Sequence, residues 1–186
     1  MTFANKITIF RILSTPFFIT TLIYYTPQRE YLRYVALIIF LLAIISDAID
    51  GYIARTQKQR TKAGTILDPV ADKILLDCAF ILLYFISNQY FKIKLPLLVM
   101  LIVIFRDIIL LLGGGIITIT NQEIDIKPTR WGKTATFFQM LTITFILIQF
   151  KLTFVFWHLA TIFTLISGAD YLRKGINIFS NQPAKK

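Results

Sequence analysis

Long apolar runs are the feature that most constrains how this chain can fold. A helix needs about 20 residues to cross the hydrocarbon core of a bilayer. Apolar windows of roughly that length can be drawn over residues 7–25, 34–53, 65–86, 95–118, 131–150 and 152–179. The sequence therefore predicts an all-α fold, an integral membrane bundle of six transmembrane helices.

The composition supports the same prediction. Of the 186 residues, 56% are hydrophobic and 16% are charged, which is too apolar for an ordinary soluble domain. Six helices occupy most of the chain, and no Gly/Ser/Pro-rich linker interrupts it. We therefore interpret residues 1–186 as a single transmembrane domain.

The net charge of +10 raises the question of a nucleic acid partner. In membrane proteins, however, Lys and Arg concentrate in cytoplasmic loops and near anionic headgroups. A cytoplasmic N-terminus places thirteen basic residues on the cytoplasmic side and five on the other side. The charge therefore predicts a lipid bilayer as partner and no nucleic acid, with both termini cytoplasmic. Because only Lys151 separates the last two windows, a five-helix alternative with an inverted C-terminus stays open.

Acidic residues cluster in one short segment. Asp47, Asp50, Asp68 and Asp72 fall within 26 residues, although the whole chain has only ten acidic residues. On helices, positions three or four apart share a face, so each pair of aspartates would lie on one side of its helix. Two such faces opposed across the intervening loop would bring four carboxylates together.

Four neighbouring carboxylates in a membrane protein need compensation by protons or cations. Oxygen ligands without nearby His or Cys favour Mg²⁺ or Mn²⁺, with Ca²⁺ as an alternative, and these ions commonly bind phosphates. Arg55 adds a planar set of phosphate donors, while Gly51, Ala54 and Gly64 leave room for a ligand. The segment therefore predicts a site for metal ions and a nucleotide diphosphate.

The same segment resembles the signature DxxDGxxAR(x8)GxxxDxxxD of the CDP-alcohol phosphatidyltransferase family. Its eight defining positions are matched by Asp47, Asp50, Gly51, Ala54, Arg55, Gly64, Asp68 and Asp72. The stretches NKITIFRILSTPF and LDPVADK are similar to the branches of the family that make phosphatidylglycerol phosphate and cardiolipin. Six membrane helices are also the architecture that this resemblance implies.

The resemblance implies a function for each matched residue. Asp47, Asp50, Asp68 and Asp72 would bind two divalent ions, Mg²⁺ or Mn²⁺, and Asp72 would also be the catalytic base. The CDP moiety of CDP-diacylglycerol would be contacted by Gly51, Ala54, Arg55 and Gly64. The implied reaction is attack by an acceptor hydroxyl on the phosphorus bonded to diacylglycerol, with CMP as the leaving group. The resemblance also implies an active site on the cytoplasmic side of the cytoplasmic (inner) membrane, and a homodimer as one expected assembly.

The acceptor is predicted from charges outside the signature. Arg106 and Asp107 lie within an apolar run, where they would either brace the bundle as an ion pair or face a polar site. In the second interpretation, Arg106, Arg130 and Lys133 bind the acceptor's phosphate, from glycerol 3-phosphate or phosphatidylglycerol.

Glycerol 3-phosphate is the first prediction, because the length and the N-terminal segment resemble the branch that makes phosphatidylglycerol phosphate. Cardiolipin synthesis from phosphatidylglycerol is the alternative, since the Arg106–Asp107 order, KPT at 127–129 and the late YLRKG resemble that branch. An alternative of another class is a divalent-cation transporter, which would need acidic residues on several helices.

Two readings of the start of the third helix also stay open. Asp68–Pro69 is typical of an N-cap followed by proline at the first helical position. The signature instead requires Gly64 on the same helix, with Pro69 inside it. The sequence therefore predicts either a helix that begins near Pro69 or a helix that continues through it.

Overall fold

A computed structural model describes residues 3–57, 62–119 and 129–180. Within these ranges the chain forms six α-helices and no β-strand. The helices are α1 Phe3–Ile23, α2 Tyr31–Gln57, α3 Lys62–Tyr90, α4 Leu97–Ile119, α5 Arg130–Ile148 and α6 Thr153–Ser180. Each predicted window falls on one helix, which confirms the all-α prediction and its helix count for the described ranges.

The helices pack around one apolar core. Helix α1 packs on α2 and α3, α5 packs most extensively on α6, and α4 packs on α6. The rings of Phe18 in α1 and Phe40 in α2 lie 5.7 Å apart between centroids, and both side chains are fully buried. Ala43 and Ala79 are also fully buried, which is typical of small residues that let helices approach closely. Both α2 and α3 also contact α5, so the two helices that carry the aspartate signature share two neighbours.

The connection between α5 and α6 settles the question raised by the last two windows. Gln149 adopts a left-handed conformation with φ of 58°, and the Phe150 amide donates to the Phe145 carbonyl at 3.0 Å. This hydrogen-bond pattern ends a helix and satisfies its last carbonyls. Helix α6 then begins at Thr153, so the tight hairpin exists and the five-helix alternative is wrong.

The start of α3 decides between the two readings of Asp68–Pro69. Helix α3 begins at Lys62, so Gly64, Asp68 and Pro69 all lie inside it. The alternative of a helix that begins near Pro69 is wrong. Because Asp68 and Asp72 are four positions apart on one continuous helix, they share a face of α3, as the signature requires.

Large apolar side chains also cover the outside of the bundle. Phe17, Phe85, Leu98, Phe105 and Leu112 are each more than 60% exposed. Within the described ranges, two helices are long and apolar enough to cross a membrane, Arg130–Ile148 and Thr153–Lys174. So many large exposed apolar side chains are unusual for a soluble monomer of this size.

Candidate active site and buried charge cluster

The aspartate signature is divided between two helices that both contact α1 and α5. Positions 47, 50, 51, 54 and 55 lie in the second half of α2, and positions 64, 68 and 72 lie in the first half of α3. The side chains of Asp47, Asp50, Gly51, Ala54, Arg55, Gly64, Asp68 and Asp72 lie outside the described residues. The helices therefore agree with the predicted spacing within each aspartate pair, and the assembly of the four carboxylates stays a prediction.

A buried cluster of charges begins immediately after the signature. The carboxylate of Asp107 in α4 accepts hydrogen bonds at 2.5 Å from Lys73 Nζ in α3 and from Arg106 Nη1, both through Oδ1. The Asp107 side chain is 0% exposed and that of Arg106 is 5% exposed. Asp77, one turn after Lys73, interacts electrostatically with the same three groups. We call Lys73, Asp77, Arg106 and Asp107 the buried charge cluster.

Helices α5 and α6 enclose the guanidinium of Arg106. Arg106 Nη2 donates to Ser167 Oγ in α6 at 2.8 Å. A Cβ atom on Gly132 would lie 3.2 Å from the same nitrogen, and a Cβ atom on Gly168 would lie 3.7 Å from Arg106 Cγ. Gly132 therefore leaves space that the arginine occupies, whereas a methyl group at position 168 would make an ordinary van der Waals contact.

The first turn of α5 carries two of the predicted acceptor-binding cations and lies beside the third, Arg106. Thr129 caps the helix, and its Oγ1 accepts from the Gly132 amide at 3.0 Å. Arg130 and Lys133 lie on this turn and are exposed, while Gly132 between them approaches Arg106. The structure thus brings the turn that carries Arg130 and Lys133 against Arg106. It also contains the Arg106–Asp107 ion pair of the bracing interpretation.

Sequence reasoning did not single out Lys73, Asp77 or Ser167. Lys73 and Asp77 are spaced i, i+4 inside an apolar window, so a shared intramembrane partner could have been sought for them. Ser167 carries no comparable signal, because a single serine in an apolar helix usually bonds to its own backbone.

The chemistry of the signature residues fits a divalent metal site. All four candidate ligands are carboxylates, which are hard oxygen donors suited to Mg²⁺ or Mn²⁺. Their spacing puts two of them on one face of α2 and two on one face of α3. Among the side chains that the structure describes, no group of three His, Cys, Asp or Glu could hold a metal ion. The signature aspartates stay the predicted metal ligands, on the chemistry and spacing of their carboxylates.

The opposite end of the bundle holds a different pair of charges. Arg33 in the first turn of α2 donates to Glu30 at 2.6 Å and to the Tyr34 hydroxyl at 3.1 Å. Its guanidinium also lies 4.9 Å from the Tyr34 ring centroid and 5.9 Å from that of Phe91. A cavity of about 570 Å³ opens nearby between the ends of α1 and α3, lined in part by Tyr25, Arg29 and Tyr90. This cavity lies far along the bundle from the signature and does not form part of the candidate active site.

Comparisons with known proteins agree with the geometry. The model of the CDP-alcohol phosphatidyltransferase family matches residues 1–166. The chain is 32% identical to the CDP-diacylglycerol--glycerol-3-phosphate 3-phosphatidyltransferase of Haemophilus influenzae, over 90% of this chain and 89% of that protein. It is 29% identical to the Aquifex aeolicus protein of the same name, over 96% of this chain and 98% of that protein. It is also 29% identical to a probable phosphatidylglycerophosphate synthase of Mycobacterium tuberculosis, over 93% of this chain and 81% of that protein. The chain therefore belongs to the CDP-alcohol phosphatidyltransferase family.

Proposed function

We propose that this protein transfers a phosphatidyl group from CDP-diacylglycerol to the hydroxyl of glycerol 3-phosphate and releases CMP. The product is phosphatidylglycerol phosphate, a precursor of anionic phospholipids. The observation that carries the proposal is the complete eight-position signature on α2 and α3, in a chain whose relatives are named for this reaction. The same names support glycerol 3-phosphate as the acceptor.

The proposed setting is the cytoplasmic (inner) membrane, crossed by all six helices. The apolar side chains on the outside of α1, α3 and α4 support this setting, because water would disfavour so much exposed hydrocarbon. The distribution of Lys and Arg supports cytoplasmic termini. In this orientation the aspartate signature lies toward the cytoplasm, where water-soluble CMP and glycerol 3-phosphate can exchange.

In the proposed mechanism, the residues of the signature bind and orient the nucleotide. Asp47, Asp50, Asp68 and Asp72 would hold two Mg²⁺ or Mn²⁺ ions, which supply charge stabilisation to phosphate oxygens when bound. Gly51, Ala54, Arg55 and Gly64 would contact the CDP moiety. Asp72 would accept the proton of the acceptor hydroxyl as the acceptor oxygen bonds to the phosphorus that carries diacylglycerol. The bond from that phosphorus to the CMP oxygen then breaks.

Arg106, Arg130 and Lys133 would bind the phosphate of the acceptor. Asp107 and Ser167 each accept one hydrogen bond from Arg106, which leaves further N–H groups of the guanidinium for a ligand. Among the described residues, the buried Arg106 Nε has no hydrogen-bond partner. Buried donors are usually satisfied, so a bound phosphate oxygen near this group would lower the free energy of the site.

Phosphatidylglycerol is the second candidate acceptor, because it also presents a hydroxyl and an anionic phosphate. Its use would make the protein a cardiolipin synthase, and the Arg106–Asp107 order favours this alternative. Family membership counts against the divalent-cation transporter, because the matched family is named for phosphatidyl transfer.

The test is CMP release by purified protein in detergent, with CDP-diacylglycerol and Mg²⁺ or Mn²⁺. Glycerol 3-phosphate and phosphatidylglycerol are supplied in separate reactions, and Asp72→Asn is the inactive control. CMP release with glycerol 3-phosphate alone is the expected result, and release only with phosphatidylglycerol would reassign the acceptor. If neither acceptor releases CMP above the level of Asp72→Asn, both glycerol-based proposals fail.

A further inference from the structure

One carboxylate of the buried charge cluster joins two helices. Asp107 Oδ1 accepts from Lys73 of α3 and from Arg106 of α4, at 2.5 Å in both cases. The carboxylate has no exposed surface, and it also interacts with the carboxyl group of Asp77 in α3. The interaction with Lys73 spans 34 positions of sequence, so it is a tertiary contact and not a local helix pair.

We propose that Asp107 is a positioning residue, which fixes the distance between the α3 turn that carries Asp72 and the guanidinium of Arg106. The proposal rests on the proposed function, in which Asp72 acts on the acceptor hydroxyl and Arg106 binds the acceptor phosphate. Asp107 would thus hold the two parts of the active site that act on opposite ends of one small acceptor.

The link to α3 runs through Lys73. Lys73 directly follows Asp72 in a continuous helix. Because a helical backbone moves as a nearly rigid unit over one turn, a contact that fixes Lys73 also fixes the turn before it. The Lys73 side chain is 16% exposed, so it has little freedom to leave Asp107 for solvent.

The link to the acceptor runs through Arg106. Asp107 contacts Nη1 of this guanidinium, while Ser167 of α6 contacts Nη2. The first turn of α5 also lies close to this group, because a Cβ atom on Gly132 would come within 3.2 Å of Nη2. Both terminal nitrogens of the Arg106 guanidinium are therefore fixed by hydrogen bonds. An acceptor phosphate would bind to a preorganised guanidinium.

Charge balance explains why a carboxylate is needed at this position. The cluster contains two cations, Lys73 and Arg106, and two acidic residues, Asp77 and Asp107. A neutral Asp107→Asn side chain would remove the carboxylate that contacts both cations and leave Asp77 as the one acidic residue of the cluster. The repulsion between the buried Lys73 and Arg106 would then be less fully compensated. The expected response is a displacement of Arg106, of Lys73, or of both.

The experiment compares steady-state kinetics of four variants with the wild type in detergent. Asp107→Asn is expected to raise the KM for glycerol 3-phosphate about tenfold or more, with the KM for CDP-diacylglycerol nearly unchanged. Asp107→Glu keeps the charge and is expected to restore much of the acceptor affinity. Ser167→Ala removes the second contact to Arg106 without leaving a buried charge unpaired, and is expected to raise the acceptor KM about three- to tenfold. Glu30→Gln is the matched control, because it neutralises a carboxylate paired with the other buried arginine at 2.6 Å.

Hydrogen exchange of the α3 backbone over residues 68–76 supplies a readout that does not need activity. Asp107→Asn is expected to increase this exchange, whereas Asp107→Glu and Glu30→Gln are not.

If the wild type releases no CMP with either acceptor, the proposed function fails, and the exchange still decides whether Asp107 holds α3. If Asp107→Asn does not fold, Ser167→Ala decides the acceptor effect. The proposal is overturned if Asp107→Asn matches Glu30→Gln in exchange and acceptor KM, or if the folded variants lose kcat with both KM values unchanged.

Discussion

Two buried arginines at opposite ends of the bundle differ in the kind of partner they have. Arg33 pairs with Glu30, three positions earlier in the chain, and that carboxylate is 58% exposed. Arg106 pairs with Asp107, whose carboxylate is 0% exposed and also binds Lys73 on another helix. The Arg33 pair joins neighbouring positions of the chain and has a solvent-exposed carboxylate. The buried charge cluster joins two helices, and its Asp107 carboxylate is inaccessible to solvent.

This difference in burial indicates which end of the bundle contains the active site. The charge of Arg33 is stabilised by the half-exposed Glu30 carboxylate and by two aromatic rings. The buried charge cluster removes several charges from water, which is unfavourable unless the geometry is good. Such clusters are costly to maintain in a membrane and are therefore typical of functional sites. The cluster directly follows the aspartate signature in α3, which agrees with an active site at this end.

The largest expected difference between the two ends is in catalysis. Asp72→Asn removes the proposed base and is expected to lower the rate of CMP release by about 10²- to 10⁴-fold. Glu30→Gln, at the opposite end, is expected to leave this rate within about twofold of the wild type. The measurement is CMP release at saturating CDP-diacylglycerol, with thermal unfolding in detergent to show that both variants are folded. A similar loss of rate in both variants would mean that the two ends do not differ in function.

The second difference is in stability. Arg106→Leu leaves the buried Asp107 and Asp77 with Lys73 as the one cation of the cluster, and is expected to lower the free energy of unfolding by about 3–5 kcal/mol. Arg33→Leu leaves Glu30 largely in solvent, so its expected cost is about 1 kcal/mol. The measurement is reversible unfolding in mixed micelles, monitored by helical circular dichroism. Equal losses would show that burial of the carboxylate does not distinguish the two arginines.

The same comparison explains what the sequence could predict. The six helices could be predicted because each apolar window is long and continuous. The Arg33–Glu30 pair is also a contact that sequence spacing can predict, because the two residues lie three positions apart. The signature was accessible because its residues lie at fixed spacings along the chain. The surroundings of Arg106 could be predicted only in part. Asp107 is its neighbour in sequence, but Lys73, which shares Asp107 with it, and Ser167 are 33 and 61 positions away. Contacts of this range depend on how helices pack, which periodicity within one helix does not determine.

The α5–α6 hairpin shows a second limit of the same kind. Only Lys151 marks the break in the hydropathy pattern, so the sequence left the number of helices open. The structure ends α5 through backbone hydrogen bonds around Gln149, a residue with no strong turn preference. A non-glycine residue in the left-handed conformation is uncommon and is not evident from composition.

A smaller effect is expected from the packing around Arg106. In Gly132→Ala, the new methyl group would lie 3.2 Å from Arg106 Nη2 and 3.3 Å from Thr129 Oγ1. Because Asp107 and Ser167 hold the guanidinium, it has little room to yield, and we expect a loss of about 1–2 kcal/mol in unfolding free energy. Gly113→Ala is the matched control in α4, because nothing lies within 4 Å of its new methyl group. That control is expected to gain about 0.5–1 kcal/mol from better helix propensity. A gain in both variants would show that Arg106 is not tightly enclosed.

The smallest expected effect concerns the Arg33 pair itself. Glu30→Gln removes the ion pair but keeps a side chain of similar size that can still accept from Arg33. Since Glu30 is more than half exposed, the pair is weakened by solvent and its loss is expected to cost less than about 1 kcal/mol. Added salt should reduce even this difference, because it screens exposed charges but reaches closed ones poorly. The measurement is the unfolding free energy of the wild type and Glu30→Gln at low and high salt, beside Ser167→Ala, whose contact is buried and should respond little to salt. A cost of several kcal/mol for Glu30→Gln that persists at high salt would place the Arg33 pair in the same energetic class as the buried charge cluster. The contrast between the two ends would then rest on catalysis alone.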